Sequence, residues 1–143
     1  MAADPLPGGA TPEGCRRLAR RRREEEPALV ASAYRRLGRT GLTVAKIGFG
    51  GYRVAAGHEA HRRALVAALA EGCNLLDTAA NYGAGASERL FGQVLAEAVA
   101  RGTVARDEVV VATKGGYLQG QAYAAARARA EAGEARLVEV DKG

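Results

Sequence analysis

The sequence predicts an α/β fold built on a parallel sheet, and three observations carry that prediction. An apolar run, Cys73-Asn74-Leu75-Leu76, stops on a carboxylate at Asp77. A second run, Val109-Val110-Val111-Ala112-Thr113, stops in the same way on Lys114, and its unbroken Val pattern suits a strand buried on both faces. Stretches with helical spacing lie between such runs, so that strand, helix, strand, helix, strand follow one another as in a parallel sheet.

Taken in order, residues 1–31 open with Pro5, Pro7, Gly8 and Gly9 and pass through an Arg-rich stretch into Glu24-Glu25-Glu26-Pro27. With little apolar material to offset the entropy of ordering, this segment is expected to be a mostly disordered tail with at most a short helix at Arg16 to Glu25. Tyr34-Arg35-Arg36-Leu37 and Thr43-Val44-Ala45-Lys46 flank Gly38-Arg39-Thr40-Gly41, the pattern of a hairpin with a Gly-containing loop. Ile47-Gly48-Phe49-Gly50-Gly51 reads as the first sheet strand, with glycines at its mouth that let a ligand lie against bare backbone.

From His58 to Ala70 a helix is expected, with Leu65, Ala68 and Leu69 on one face and Gly72 to stop it. A second helix follows the Asp77 strand, capped by Ser87, with Leu90, Phe91, Val94, Leu95 and Ala98 in a stripe. After Lys114 comes a loop. Gln121 to Ala132 then has high helix propensity without a wide apolar face, so residues 121–143 are expected to hold a weakly packed helix and a frayed end from Arg136 to Gly143.

The chemistry gathers at the strand mouths. Adjacent strands lie roughly 4.8 Å apart, so parallel pairing of the two runs brings Asp77 and Lys114 within ion-pair reach, with Tyr82 five positions after the acid. Taken alone, Asp77 reads equally well as a strand-end carboxylate capping the next turn, and Lys114 as an amine reaching solvent. Tyr82 is what turns the pair into a set.

Residues 34–116 resemble the N-terminal part of an aldo-keto reductase. The matching stretches are Gly41-Leu42-Thr43-Val44, Ile47-Gly48-Phe49-Gly50-Gly51, Leu76-Asp77-Thr78-Ala79 with Asn81-Tyr82-Gly83, Ser87-Glu88-Arg89-Leu90-Phe91-Gly92, and Val111-Ala112-Thr113-Lys114. The resemblance implies that residues 32–120 are the opening portion of a (β/α)8 TIM barrel, its bottom closed by the hairpin. A whole barrel takes about 250 residues, so the 143-residue chain is expected to be an incomplete barrel, prone to association through an open strand edge. It also implies Asp77, Tyr82 and Lys114 as catalytic residues, with a fourth, a His at the end of the next strand, unmatched here.

The implied reaction is the reduction of an aldehyde or ketone by NADP(H), with NAD(H) as the alternative. A hydride reaches the carbonyl carbon while Tyr82 delivers a proton to the oxygen. An ammonium beside a phenol favours the phenolate left behind, and Asp77 holds Lys114 charged and aimed. The nicotinamide end of the cofactor is expected at Gly51, Tyr52, Arg53 and Asp77. The contrasting expectation is a catalytically silent truncated barrel, or an interaction protein, that retains the motifs.

Other classes fit less well. Gly48-x-Gly50-Gly51 begins like a dinucleotide-binding phosphate loop, but Arg53 stands where the third glycine is required and no strand-end acid follows at the right distance. His58 and His61, with Glu59 between them, do not have zinc-site spacing, so no metal is expected. The net charge of +5 lies mostly within residues 32–120. In the Arg-rich tail six arginines face five acids with no interleaved aromatic residue, which argues against a nucleic-acid partner. Cys15 and Cys73, one in the polar tail and one at a strand start, are not expected to pair, and no run approaches the roughly 20 apolar residues of a membrane span. A cytoplasmic protein acting on a small-molecule carbonyl is the resulting expectation.

Overall fold

The computed structural model describes residues 6–30 and 32–136. The first helix, α1, runs from Pro12 to Glu25. Thr11 caps it by accepting the Gly14 N–H at 2.9 Å, and Pro12 takes the first helical position, where a missing N–H costs nothing. A short helix α2 follows at Pro27–Val30. The Arg-rich segment is therefore ordered over a longer stretch than expected. Its buried Cys15 and Leu18 supply the contact that composition concealed, and partners remote in sequence supply the rest.

Strands β1 (Tyr34–Arg36) and β2 (Thr43–Ala45) form the antiparallel hairpin, with Tyr34 opposite Ala45. Three further strands, β3 (Phe49–Gly50), β4 (Leu75–Asp77) and β5 (Val110–Ala112), make one parallel sheet in that order. Helix α3 (Glu59–Ala70) crosses from β3 to β4 and α4 (Ala86–Ala100) from β4 to β5, so β4 lies at the centre. The register sets Gly50 beside Asp77 and Asp77 beside Ala112. Because side chains alternate along a strand, these positions share one face, and Phe49, Leu76 and Val111 share the other.

The core fills the space between sheet and helices. Leu65 and Leu69 of α3 meet Leu90, Phe91, Val94, Leu95 and Ala98 of α4 over Leu76, with Val104 and Val109 completing the cluster. Burying each of the larger side chains contributes about 1.5–3 kcal/mol. Arg62 of α3 reaches across to Glu97 of α4.

Two expectations are corrected here. Ser87 does not cap α4: it lies inside the helix, buried, with its hydroxyl 2.9 Å from that of Thr78. The chain enters α4 through Gly83, Ala84 and Gly85, all with positive φ, and Gly85 is the N-cap. Nor is β5 buried on both faces. Val111 is 37% exposed and Ala112 is exposed, because β5 is an edge strand and the next helix, α5 (Gly120–Glu131), buries no residue. The described sheet is open rather than a closed barrel. Apart from Arg136, the expected frayed end falls outside the described residues. No helix among them is long and apolar enough to cross a membrane.

Candidate active site

All three sheet strands point their C-terminal ends at one rim, which the parallel register dictates. There the Lys114 ammonium donates to both Asp77 carboxylate oxygens at 2.8 Å and to the Thr78 carbonyl at 3.0 Å. The ammonium stands 4.9 Å from the centre of the Tyr82 ring. The hydrogen bond to Asp77 first, and the contact with Tyr82 second, raise the pKa of Lys114 above its ordinary value, so the amine stays charged. Tyr82 also meets Tyr52 edge to face, with ring centres 5.2 Å apart. The side chains of Asp77 and Lys114 are about half exposed, so the trio is accessible from solvent.

Local bonds hold the rim in shape. The Gly51 N–H donates to the Asp77 carbonyl at 2.7 Å, tying β3 to the end of β4. The Thr78 N–H donates to the Ala112 carbonyl at 2.8 Å and ties β4 to β5. Asn81 donates through Nδ2 to the Tyr117 carbonyl at 2.6 Å, and Thr113 donates to Glu88 at 2.6 Å, so the loops after Asp77 and Lys114 are bonded to each other and to α4. Nothing in the local sequence pattern foretells these bonds of Asn81 and Glu88.

The residues expected to meet a nicotinamide divide in two. Gly51 is buried, and a Cβ there would stand 2.4 Å from the Ser87 hydroxyl and 3.0 Å from Phe91. The side on which a Cβ would stand is filled by α4. Gly50 is the open one, since a Cβ placed there would meet nothing within 4 Å. Tyr52 is 70% exposed and packs on Tyr82 of the trio, and the next residue, Arg53, is exposed without an ion pair among the described residues. An aromatic surface, a free cation and an accessible carboxylate beside bare backbone suit a flat ring joined to phosphates. The residues present fit that end of a nicotinamide cofactor.

The two histidines are elsewhere. His58 is the N-cap residue of α3, and His61 lies in its first turn, accepting the Ala55 N–H at 3.2 Å on Nδ1. Neither stands at a strand end.

A second polar cluster, missed in the sequence, occupies the opposite pole. Glu108, 1% exposed, accepts from Arg17 at 3.1 Å, from Arg21 through two bonds at 2.9 and 3.1 Å, and from the Ala105 N–H at 3.0 Å. Arg17 also donates to Asp107 at 2.6 Å. Burial alone pushes the Glu108 carboxyl up, but the Arg21 hydrogen bond and the further donors outweigh it, and the net shift is downward. Beside it, buried Asn74 accepts the Ala45 N–H at 2.8 Å and donates to the Thr43 and Glu108 carbonyls at 3.0 Å each. Asn74 thereby pins the hairpin to the bottom of β4. The one sequence signal was Arg17 and Arg21 four apart on a helix face.

The Aldo/keto reductase family model matches residues 46–138. A protein named 6-dehydroglucose reductase, from Novosphingobium aromaticivorans, is 41% identical over 95 residues, which covers 60% of this chain. The chain spans 30% of the length of that protein. With the family match running through the Asp77 rim and over more than half of the sequence, this chain belongs to the aldo/keto reductase family.

Proposed function

We propose that the rim reduces the carbonyl group of an aldehyde or ketone, with NADP(H) as cofactor and NAD(H) as the alternative, in the cytoplasm. The observation that carries the reading is the Lys114 ammonium held by Asp77 at 2.8 Å against the face of Tyr82. A bound reduced nicotinamide supplies the hydride. Tyr82 gives its phenolic proton to the oxygen that gains charge, and Lys114 stabilises the phenolate that remains. Asp77 keeps Lys114 charged and pointed at the phenol. Gly51, Tyr52, Arg53 and Asp77, with the open Gly50 beside them, support the nicotinamide end. The similarity to a protein named as a reductase supports the direction of the reaction.

Among these 143 residues no histidine joins the trio, and positioning of substrate and cofactor is worth about 7–11 kcal/mol of barrier in well-aligned reactions. We therefore infer slow turnover for the 143-residue polypeptide by itself. That gives the silent or interaction role its standing as the second reading.

The test is NADPH oxidation with 4-nitrobenzaldehyde, and with a 6-dehydro sugar, using the 143-residue polypeptide and any longer product of the same gene in parallel. A product that brings a histidine to the trio is expected to turn over. Its Tyr82→Phe variant is expected to lose reduction by at least about 100-fold while binding NADPH nearly as before. Undiminished turnover by that variant removes Tyr82 from its role, and no turnover by the unaltered product favours the silent reading.

A further inference from the structure

The arginines of α1 fall into two sets. Arg17 and Arg21 bond to Asp107 and Glu108, and Arg22 bonds to Glu25 and Glu71, so each of these has an acidic partner. Arg16, Arg20 and Arg23 are spaced four and three residues apart, which stacks them in one stripe. At about 100° per residue, this stripe lies on the side of the helix away from buried Gly14 and Leu18. All three are exposed. Arg16 has one partner, exposed Glu13, and Arg20 and Arg23 have no ion pair among the described residues. Glu24, next to Arg23 in sequence, bonds to none of the three.

A groove of about 350 Å³ runs beside this stripe, lined by Arg16, Ala19, Arg20, Arg23 and Thr43. Arg36 is registered opposite Thr43 in the hairpin, lies on the same face of it, and is exposed. A concave surface lined by three guanidiniums, with one exposed carboxylate, Glu13, bonded to Arg16, carries an unbalanced positive field. Guanidinium forks match the oxygens of phosphate groups. The groove sits at the small end of ligand sites, which span about 300–1,000 Å³, and no aromatic side chain lines it to stack a base.

We propose that this groove binds a small oligophosphate, either free or as the phosphate tail of a larger molecule, chiefly through Arg20 and Arg23. It lies at the pole opposite Asp77, so its occupancy is independent of the reductase reading. The experiment is calorimetric titration of the 143-residue protein with sodium tripolyphosphate at constant ionic strength. Arg20→Gln and Arg23→Gln are each expected to weaken binding about tenfold or more, while Arg63→Gln, an exposed arginine on α3, leaves it unchanged. Because neither Arg20 nor Arg23 bonds to the rest of the fold, thermal unfolding of both variants is expected to match that of the parent.

Inorganic sulfate binding as tightly as tripolyphosphate, or Arg63→Gln weakening it equally, would reduce the effect to diffuse charge and overturn the proposal. A nucleoside triphosphate that matches tripolyphosphate supports the tail as the recognised group. Anionic phospholipid vesicles or a single-stranded oligonucleotide binding far more tightly, with the same dependence on Arg20 and Arg23, would replace the small-ligand site with a macromolecular surface.

Discussion

The two ends of the parallel sheet each hold a carboxylate paired with a cation, and they use the pair in opposite ways. At the bottom, Glu108 is 1% exposed and every bond its carboxylate accepts comes from a fixed donor, two arginines of α1 and the Ala105 amide. At the top, the side chain of Asp77 is 48% exposed and that of Lys114 is 51% exposed, and the amine can turn toward a ligand. A buried carboxylate whose partners are removed is left charged in a poor solvent, so such a pair fixes structure. An exposed pair is screened by water and adds little to stability, which leaves its charge for chemistry.

The largest effect is expected from Glu108→Ala, which strands Arg21, leaves Arg17 with Asp107 alone and frees the Ala105 amide. Removing one partner of a buried pair costs about 3–5 kcal/mol, and the part-exposed arginines bring the expectation to the lower end, about 3 kcal/mol. Urea denaturation measures it, and hydrogen exchange should show Pro12–Glu25 losing protection first. A loss below about 0.5 kcal/mol, within the range of ordinary surface substitutions, would erase the contrast between the poles.

Next comes Asn74→Ala, which removes three hydrogen bonds joining the hairpin to β4 and to the Glu108 carbonyl. About 2 kcal/mol should be lost, since buried groups are left unpaired. Exchange at β1 and β2 should rise while exchange at Asp77 does not.

Acid should separate the poles without mutation. The pKa of Glu108 is lowered in the folded protein, so its contribution is full above the ordinary Glu value near ~4.3 and disappears as pH falls through the lowered value. Titration followed by hydrogen exchange of α1 should show loosening only on that acidic side. Loosening that begins near neutral pH would point to a different group.

The smallest effect is expected from Lys114→Met. The raised pKa of Lys114 gives a contribution present below the ordinary Lys value and lost as pH rises through the raised one. The pair is half exposed and screened by water, so the denaturation midpoint should barely move, while carbonyl reduction should collapse. A clear loss of stability would make the top pair structural as well.

Local pattern determined the sheet and the rim. The runs ending on Asp77 and Lys114 are short, apolar and separated by amphipathic stretches, and a parallel sheet with helical crossovers is the arrangement that buries them all. Parallel register then fixes which ends meet, so the Asp77–Lys114 pair was legible from two strand ends. The hairpin was equally plain, because its turn glycines and flanking runs are neighbours in the chain.

What lay beyond sequence was every partnership between distant segments. Arg17 and Glu108 stand 91 residues apart, and neither carries a mark of burial in a stretch that reads as solvated charge. Order in α1 comes from those long-range bonds and from Cys15 and Leu18 finding a surface, so composition pointed to a disordered tail. Gly51 is similar: nothing in its sequence context shows that Ser87 and Phe91 crowd its Cα, and only the packing of α4 does. Periodicity reports which face of an element is apolar, whereas the element that comes to cover it is chosen by tertiary packing.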